Sequence, residues 1–259
     1  GETLSEMISK AASDLSQVRE DMDTGIGSAI NDINGLASQI AVLNEKISRA
    51  EINSENANDY RDERTRLLND LSGKIDISYF EDDLGQVTVM VGGGNPLVEG
   101  LVARSLSGAV NSDNDGLTDI YFNPGSGTMV NITENIKDGS IAGMLNIRDE
   151  VAPELSGKLD LLAASITNEV NILHRAGYGL DSTTGNDFFS PLTTTTGALS
   201  ANSSNASIDG GTILDFSLLS LDDYEVRFTS PSSFDIVNTT DNTTVSTGNI
   251  YTSGDNIDF

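Results

Sequence analysis

The sequence predicts an α+β protein: an elongated antiparallel helical bundle with an inserted small β-module, followed by a separate all-β domain. Apolar residues recur at spacings of three and four from residue 4 to residue 75 and again from 141 to 173, the period of amphipathic helices. Between these stretches, at about 76–138, the period changes to two, which is typical of strands. After residue 178, short apolar runs alternate with Ser, Thr, Asn, Asp and Gly, which favours strands and turns.

The first helix is predicted from a long apolar stripe. A helix of about 45 residues would be about 70 Å long at the usual rise of about 1.5 Å per residue. Three consecutive steps of four separate Val18 from Ile30, and Gly25 and Gly27 fall in the same stretch, so a kink near Thr24–Gly27 is the alternative to one continuous helix. The stripe consists of Leu4, Ile8, Ala11, Leu15, Val18, Met22, Ile26, Ile30, Ile33, Ala37, Ile40 and Ile47.

Two further helical regions follow from the same period. Polar residues 53–58 end the first helix, and Asn58 or Asn56 is expected to cap a second helix that pairs antiparallel with residues 33–47. The third region begins after Gly139 with Ser140 as a cap. Pro153 predicts a break in this helical region near Glu150. The proline itself is expected in the first turn of a main helix, which ends before Gly177.

The β-module is predicted to begin with a hairpin of residues 77–79 and 87–91, followed by strands at 97–106, 117–122 and 129–132. The all-β domain has candidate strands at 213–221, 224–228, 234–237, 245 and 250–251. The domain boundaries expected from these patterns are 1–177 and 178–259, with the second domain ending unfinished at Phe259.

The predicted helix lengths leave part of the stripe uncovered. The second and third helices span roughly 25 and 40 Å, so neither covers the whole first helix. Residues 4–22 are therefore expected to need a further partner, either a part of the chain that is missing here or another subunit.

Composition excludes several classes of function. The net charge of −26 and the pI near 4.1 would repel nucleic acid. No apolar run approaches the roughly 18 residues of a membrane span. The absence of cysteine excludes disulfides, zinc–thiolate sites and thiol catalysis.

Two short motifs suggest ligand binding, but each has a simpler explanation. Residues 111–116 with Asp119 have the oxygen donors and the glycine of a calcium loop. The twelfth position, however, is Phe122 instead of glutamate, so the segment is either a calcium loop or a polar turn between two strands. Gly92–Gly94 lacks a P-loop lysine and precedes no helix, which indicates a tight turn.

Charged and titratable residues give no catalytic arrangement. His174 is the one histidine, beside Arg175 at the end of the third helical region. We expect surface roles for the acid pairs Asp82–Asp83, Asp149–Glu150 and Asp222–Asp223, because adjacency does not place two carboxyls across a substrate. We therefore predict no catalytic, cofactor-binding or metal-binding residues.

A basic cluster on the second helix leaves two alternatives open. The cluster consists of Arg61, Glu63, Arg64 and Arg66. The cluster is expected either to pair within the helix, with Asp59, Asp62 and Asp70, or to contact a neighbouring subunit.

Five segments resemble the flagellar hook-associated protein 1 family, and the resemblance covers nearly all of residues 1–190. The segments are INDINGLASQIAVLNEKI at 30–47, NDYRDERTRLLNDLS at 58–72, VMVGGGNPLVEG at 89–100, GSIAGMLNIRDEVAPELSGKLDLLAASITNEVNILHRAGYGL at 139–180 and GNDFF at 185–189. The resemblance implies a non-enzymatic, axial structural component at the hook–filament junction of the bacterial flagellum, and a fragment that lacks both terminal assembly segments.

The resemblance also implies partners and a location. The partners would be neighbouring copies in a helical tube, the hook protein, the second junction protein (hook-associated protein 3) and an export chaperone that binds a terminus absent here. The protein would be extracellular, exported by the flagellar secretion apparatus, and this fragment is expected to be monomeric in solution. The alternative is a secreted coiled-coil stalk with a glycan- or calcium-binding β-domain.

Overall fold

The computed structural model describes residues 2–53, 56–112, 114–180, 182–197, 211, 213, 219–220, 222–252 and 254. Contacts divide the chain into two compact units, residues 1–156 and 157–259. This division falls inside a continuous helix, so it does not test whether an independently folding domain begins at residue 178. The boundary at 177/178 stays a prediction.

Helix α1 runs without interruption from Glu2 to Ile52, which at about 1.5 Å per residue is about 77 Å. The predicted continuous helix is confirmed, and the alternative of a break near Thr24–Gly27 is not observed. Gly25 has a packing reason instead: a Cβ there would lie 2.7 Å from Met144 Sδ, so glycine lets a later helix approach closely. The buried positions of α1 begin only at Ile26.

Helix α2 (Asn58–Ser72) pairs antiparallel with the second half of α1, as predicted. Arg61 forms an ion pair with Glu51 at 2.8 Å, and Lys74, just after α2, forms one with Asp32 at 2.8 Å. The two helices therefore run in opposite directions. Neither asparagine is the N-cap residue, which is Ala57. The Asn56 carboxamide oxygen nevertheless accepts the first free helical N–H, from Asn58, at 2.9 Å.

The β-module contains two antiparallel sheets, each with its strands in chain order. The first has β1 (Ile77–Glu81), β2 (Val87–Val91), β3 (Asn95–Glu99) and β4 (Val102–Ala103). The second has β5 (Ser105–Val110), β6 (Thr118–Asn123) and β7 (Val130–Asn131). The predicted hairpin is confirmed, but the prediction of a single strand at 97–106 is wrong. The chain reverses there at Gly100, whose φ of +57° suits glycine, so β3 and β4 pair with each other.

The core of the first unit lies between α1 and one face of each sheet. It joins α1 and α2 to the sheets and to the start of the next helix. Its fully buried members include Ile33 and Ile40 of α1, Leu71 of α2, Val89 of β2 and Ile120 of β6.

The third helical region consists of α3 (Gly139–Asn146), a π segment (Ile147–Val151) and α4 (Ala152–Arg175). Asp138, not the predicted Ser140, caps α3: its carboxylate accepts the Gly139 N–H at 2.7 Å. The expected break near Glu150 is a π turn, in which the Ala152 N–H donates to the Ile147 carbonyl. Pro153 then stands in the first turn of α4, as predicted.

The second unit contains most of α4 and a three-stranded antiparallel sheet in the order β10-β9-β8. Its strands are β8 (Tyr224–Ser230), β9 (Ser233–Asn238) and β10 (Thr243–Ile250), which confirms the predicted strands at 224–228 and 234–237. The candidate strands at 245 and 250–251 belong to one strand, β10, except for Tyr251, which follows it. Most of the candidate strand at 213–221 lies outside the described residues. The predicted α+β fold class is confirmed.

Candidate functional site

Three polar residues spaced along α1 hold the β-module. Each accepts a hydrogen bond from the backbone N–H of a strand residue: Asp23 from Thr118 at 2.9 Å, Asn34 from Leu106 at 2.8 Å and Asn44 from Val87 at 3.0 Å. Their spacings of eleven and ten residues are close to three helical turns of about 3.6 residues each, so they share one side of α1. The helix therefore contributes hydrogen bonds to the strands as well as an apolar face.

Asn34 and Asn44 use the same bidentate contact. The Asn34 side-chain N–H donates to the Leu106 carbonyl at 2.9 Å, and that of Asn44 to the Val87 carbonyl at 2.8 Å. Each carboxamide thus satisfies both the N–H and the C=O of one strand residue. Asn44 also donates to the Gly100 carbonyl at 2.7 Å, so it joins the ends of two hairpins of the first sheet.

The Asn34 contact gives a testable contribution to stability. Replacing Asn34 with alanine removes both bonds to Leu106, and we expect the free energy of unfolding to fall by about 1–2 kcal/mol, because both groups are only partly buried and water can replace the lost partner. Urea unfolding followed by circular dichroism measures this loss. Gln39→Ala, an exposed change on the same helix, is the control and should change stability much less.

Arg64 is buried beside Asn44 and connects α2 to the β-module. Its guanidinium donates to the Asn44 side-chain oxygen at 3.0 Å, the Gly85 carbonyl at 2.5 Å and the Glu81 carboxylate at 2.9 Å. Burial lowers the pKa of Arg64, and the Glu81 charge opposes this shift. Arg61 binds the other Glu81 oxygen at 2.6 Å.

The basic cluster of α2 therefore divides into two groups. Arg66 pairs within the helix with Asp70 at 2.8 Å, as the first alternative predicted, and also with Glu63 at 2.6 Å. For Arg61 and Arg64 that alternative is wrong: they reach Glu81 in β1, and Arg61 also reaches Glu51 in α1. Their guanidiniums hold the β1–β2 hairpin to the two helices.

A second polar cluster surrounds Arg148, which is completely buried in the π segment. Its guanidinium donates to Asp23 at 2.6 Å, to the Thr118 carbonyl at 2.8 Å and to both Asp149 oxygens at 2.7 and 2.8 Å. Arg19 adds a bond to the Arg148 carbonyl at 3.0 Å. The Arg148 cluster thus joins α1, β6 and the π segment.

The Asp149 carboxyl is stabilised in its charged form. Burial alone would raise its pKa, but hydrogen bonds from Arg148 and Asn114, with the charges of Arg148 and Arg19, outweigh burial and hold the pKa below the usual value. The guanidinium of Arg148 is likewise buried, and its pKa is raised because the hydrogen bonds and charges of Asp149 and Asp23 outweigh that burial.

The candidate calcium loop forms the turn between β5 and β6. The Gly116 N–H donates to the Asn111 carbonyl at 2.9 Å, and Asp119 accepts bonds from Asn111 and Asn131. Asp115 pairs with Arg19 at 2.9 Å. Among the described residues, which omit Asp113, no three acids or histidines come close enough to share a metal ion.

Each of the other motifs has its own local partners. Gly92–Gly94 forms the turn between β2 and β3, and a Cβ on Gly92 would lie 2.9 Å from Ile132. His174 Nδ1 donates to the Asn186 carbonyl at 2.7 Å. Asp82 accepts the N–H groups of its own turn, and Asp222 accepts from Asn238 at 3.0 Å.

Some of the site residues that the sequence analysis did not identify are marked by one kind of signal, a polar residue at a position of an apolar stripe. Asn44 lies four residues after Ile40 and three before Ile47, so it occupies a position of the apolar stripe. A polar residue at such a position needs a buried partner. Arg148 carries the same signal, since it lies three residues after Leu145 and three before Val151 in the apolar stripe of the third helical region. Nothing comparable marks Asp23 or Asn34, whose strand partners are distant in sequence.

The first half of the α1 stripe is uncovered. The stripe residues from Leu4 to Met22 are all exposed or half-buried, with Leu4 42% and Val18 38% exposed. The stripe is thus uncovered in this chain, and the further partner stays a prediction. In the part of the chain that the structure describes, no helix combines the length and hydropathy of a membrane span.

These features define a structural domain, in which a long helix carries a β-module through buried polar contacts and leaves an apolar face open. The model of the flagellar hook-associated protein FlgK helical domain family matches residues 1–189. The chain belongs to this family.

Relatives and a solved structure agree with this assignment. Flagellar hook-associated protein 1 of Escherichia coli strain K12 is 28% identical over 210 residues, covering 80% of this chain and 38% of that protein. The protein of the same name from Salmonella typhimurium strain LT2 is 28% identical over 226 residues, covering 86% and 41%. This chain thus spans about two fifths of the curated relatives.

The fold is similar to that of the flagellar hook junction protein FlgK from Burkholderia pseudomallei. The TM-score is 0.70 at 22% sequence identity, and the match covers 95% of this chain and 45% of that one.

Proposed function

We propose that this chain is part of a structural, axial component of the bacterial flagellum that forms the junction between hook and filament. The family match over residues 1–189 carries this proposal, and it favours the junction over the secreted ligand-binding stalk. The names of the relatives and of the solved junction protein support it.

The contacts of the first unit suit a mechanical role. A helix of about 77 Å is braced along its second half by α2 and the β-module. Buried charge-assisted bonds at Arg64 and Arg148 fix the β-module at two separate places on α1. Such a subunit transmits load through directional contacts instead of carrying out chemistry, and we infer that it is not an enzyme.

The open stripe at the start of α1 is the surface we assign to assembly. It packs against helices of neighbouring copies or of other parts of a longer protein. The further partners are the hook protein, hook-associated protein 3 and an export chaperone. The protein is exported by the flagellar secretion apparatus and acts outside the cell, with residues 178–259 forming an outer β-domain.

A complementation experiment tests the proposal. In a strain that lacks the gene, full-length wild-type protein should restore filament attachment and swimming. A full-length protein with Leu15→Asp and Val18→Asp in the open stripe should fail, because charge prevents burial of that face. Ser13→Asp with Ser16→Asp, at exposed positions off the stripe, is the matched control and should restore motility.

The readouts are electron microscopy of filaments and swimming in soft agar, with secretion checked by immunoblot. Normal filaments in the deletion strain would refute the junction role. Full motility of the stripe variant would refute the assignment of the stripe while leaving the junction role standing.

A further inference from the structure

The first sheet of the β-module has one face in the core and one face toward solvent. Val87, Val89 and Val91 of β2 are buried, so the intervening residues point away from the core. Phe80 of β1 pairs with Thr88 of β2, and Val102 of β4 pairs with Glu99 of β3. Phe80 and Val102 are 55% and 56% exposed.

This outer face is unusually apolar for a solvated sheet. Antiparallel sheets with one wet face commonly carry polar residues there. Here both edge strands present a large apolar side chain, and Met90 lies half-buried on the strand between them. We call Phe80, Leu84, Met90, Leu101 and Val102 the outer patch.

The turns at one end of the sheet extend this surface. Leu84 lies in the β1–β2 turn and Leu101 in the β3–β4 turn, and each is 53% exposed. Asn44 holds the two turns together, since it donates to both the Val87 and the Gly100 carbonyls. Exposed apolar side chains grouped on a fixed scaffold are typical of protein-binding surfaces.

The charges around the outer patch are acidic. Residues 77–103 contain Glu81, Asp82, Asp83 and Glu99 but no lysine or arginine. Glu81 is neutralised by Arg61 and Arg64, and Glu99 by Arg104 at 2.8 Å. Asp82 and Asp83 remain as negative charge beside the apolar residues.

We propose that the outer patch binds a protein segment with an apolar face flanked by lysine or arginine. A second copy of this chain does not fit. Two outer patches brought together would oppose their own Asp82 and Asp83 carboxylates. All nine arginines of the chain, together with Lys10 and Lys74, already pair with a carboxylate of the same chain, so most cations of a copy are engaged.

The test uses a defined peptide and does not depend on the proposed function. The probe is a fluorescent synthetic helix of about 18 residues with leucine on one face and lysine on both flanks. Anisotropy titrations of the chain should show saturable binding. Phe80→Ser with Val102→Ser should weaken binding about tenfold or more, because each side chain is about half exposed before binding and loses the burial of that half.

Control variants separate this site from general charge attraction. Val110→Ser with Val130→Ser changes exposed apolar residues of the second sheet and should leave binding unchanged. Asp83→Lys, at an exposed turn position, should weaken binding of the lysine peptide, and a peptide with glutamate in place of lysine should not bind. Circular dichroism confirms that each variant is folded.

Three outcomes would overturn the proposal. One is absence of saturable binding, and another is equal affinity for the outer-patch variant and the second-sheet control, which indicates attraction by charge alone. The third is concentration-dependent dimerisation by light scattering that the outer-patch variant abolishes, which would identify a second copy as the occupant. Leu84→Ser with Leu101→Ser provides an independent outer-patch variant if Phe80→Ser with Val102→Ser unfolds.

Discussion

Replacing Arg148 with methionine is expected to lower the free energy of unfolding of the first unit by about 3–5 kcal/mol, the usual cost of removing one partner of a buried ion pair. Methionine fills much of the same space but leaves the Thr118 carbonyl without its guanidinium donor and Asp149 without its main partner. Asp23 loses its bond to Arg148 but keeps those from the Thr118 N–H and hydroxyl.

Urea unfolding of the whole chain by circular dichroism measures this effect, with amide hydrogen exchange of β6 to locate it. Arg66→Met is the control, because Arg66 is exposed and pairs only within α2, and it should change little. A double-mutant cycle with Asp149→Asn isolates the pair. If Arg148→Met were as stable as the wild type, the Arg148 cluster would not hold the unit together.

The same cluster gives a pH dependence. Because the folded-state pKa of Asp149 lies below its unfolded value of about 4, its stabilising contribution is complete above that value and is lost as the pH falls through the folded-state pKa. The gap in stability between the wild type and Arg148→Met should therefore be largest near neutral pH and should narrow in acid.

Local patterns were sufficient for the elements whose cause is local. The alternation at 87–91 gave a strand with its valines inward, and the α1 stripe gave a continuous helix. The Ser140 cap failed because Asp138, two residues earlier, supplies a carboxylate, and the φ of +84° at Gly139 sets where the helix begins. The spacing of apolar residues carries no information about the φ of Gly139, so it could not predict where α3 begins.

The polar contacts depend on tertiary placement, so spacing along the chain could not give them. Arg64 has no acid three or four residues away in α2, and it binds Glu81, seventeen residues away, because the β1–β2 hairpin folds back over α2. Arg148 and Asp23 are separated by 125 residues. In contrast, Asn44 was detectable, since its side chain interrupts an otherwise apolar face.

Gly139→Ala is expected to lower the free energy of unfolding by about 3 kcal/mol or more, since two penalties coincide there. The φ of +84° is unfavourable for a residue with a Cβ. That Cβ would also lie 2.6 Å from Ile75 N and 2.7 Å from Lys74 O, which are backbone atoms. Relief of this clash would separate α3 from α2.

The separation is costly because the helix ends are hydrogen-bonded to each other. Ser140 N donates to the Gly73 carbonyl and Ile141 N to the Lys74 carbonyl, both at 3.0 Å, so free N–H groups of α3 satisfy free C=O groups after α2. Gly143→Ala, on an open face of α3, is the matched control and should raise stability by about 0.5–1 kcal/mol. Urea unfolding measures the free energy of unfolding of both variants. Equal changes would mean that helix propensity alone, and not the close approach at Gly139, determines the change in stability.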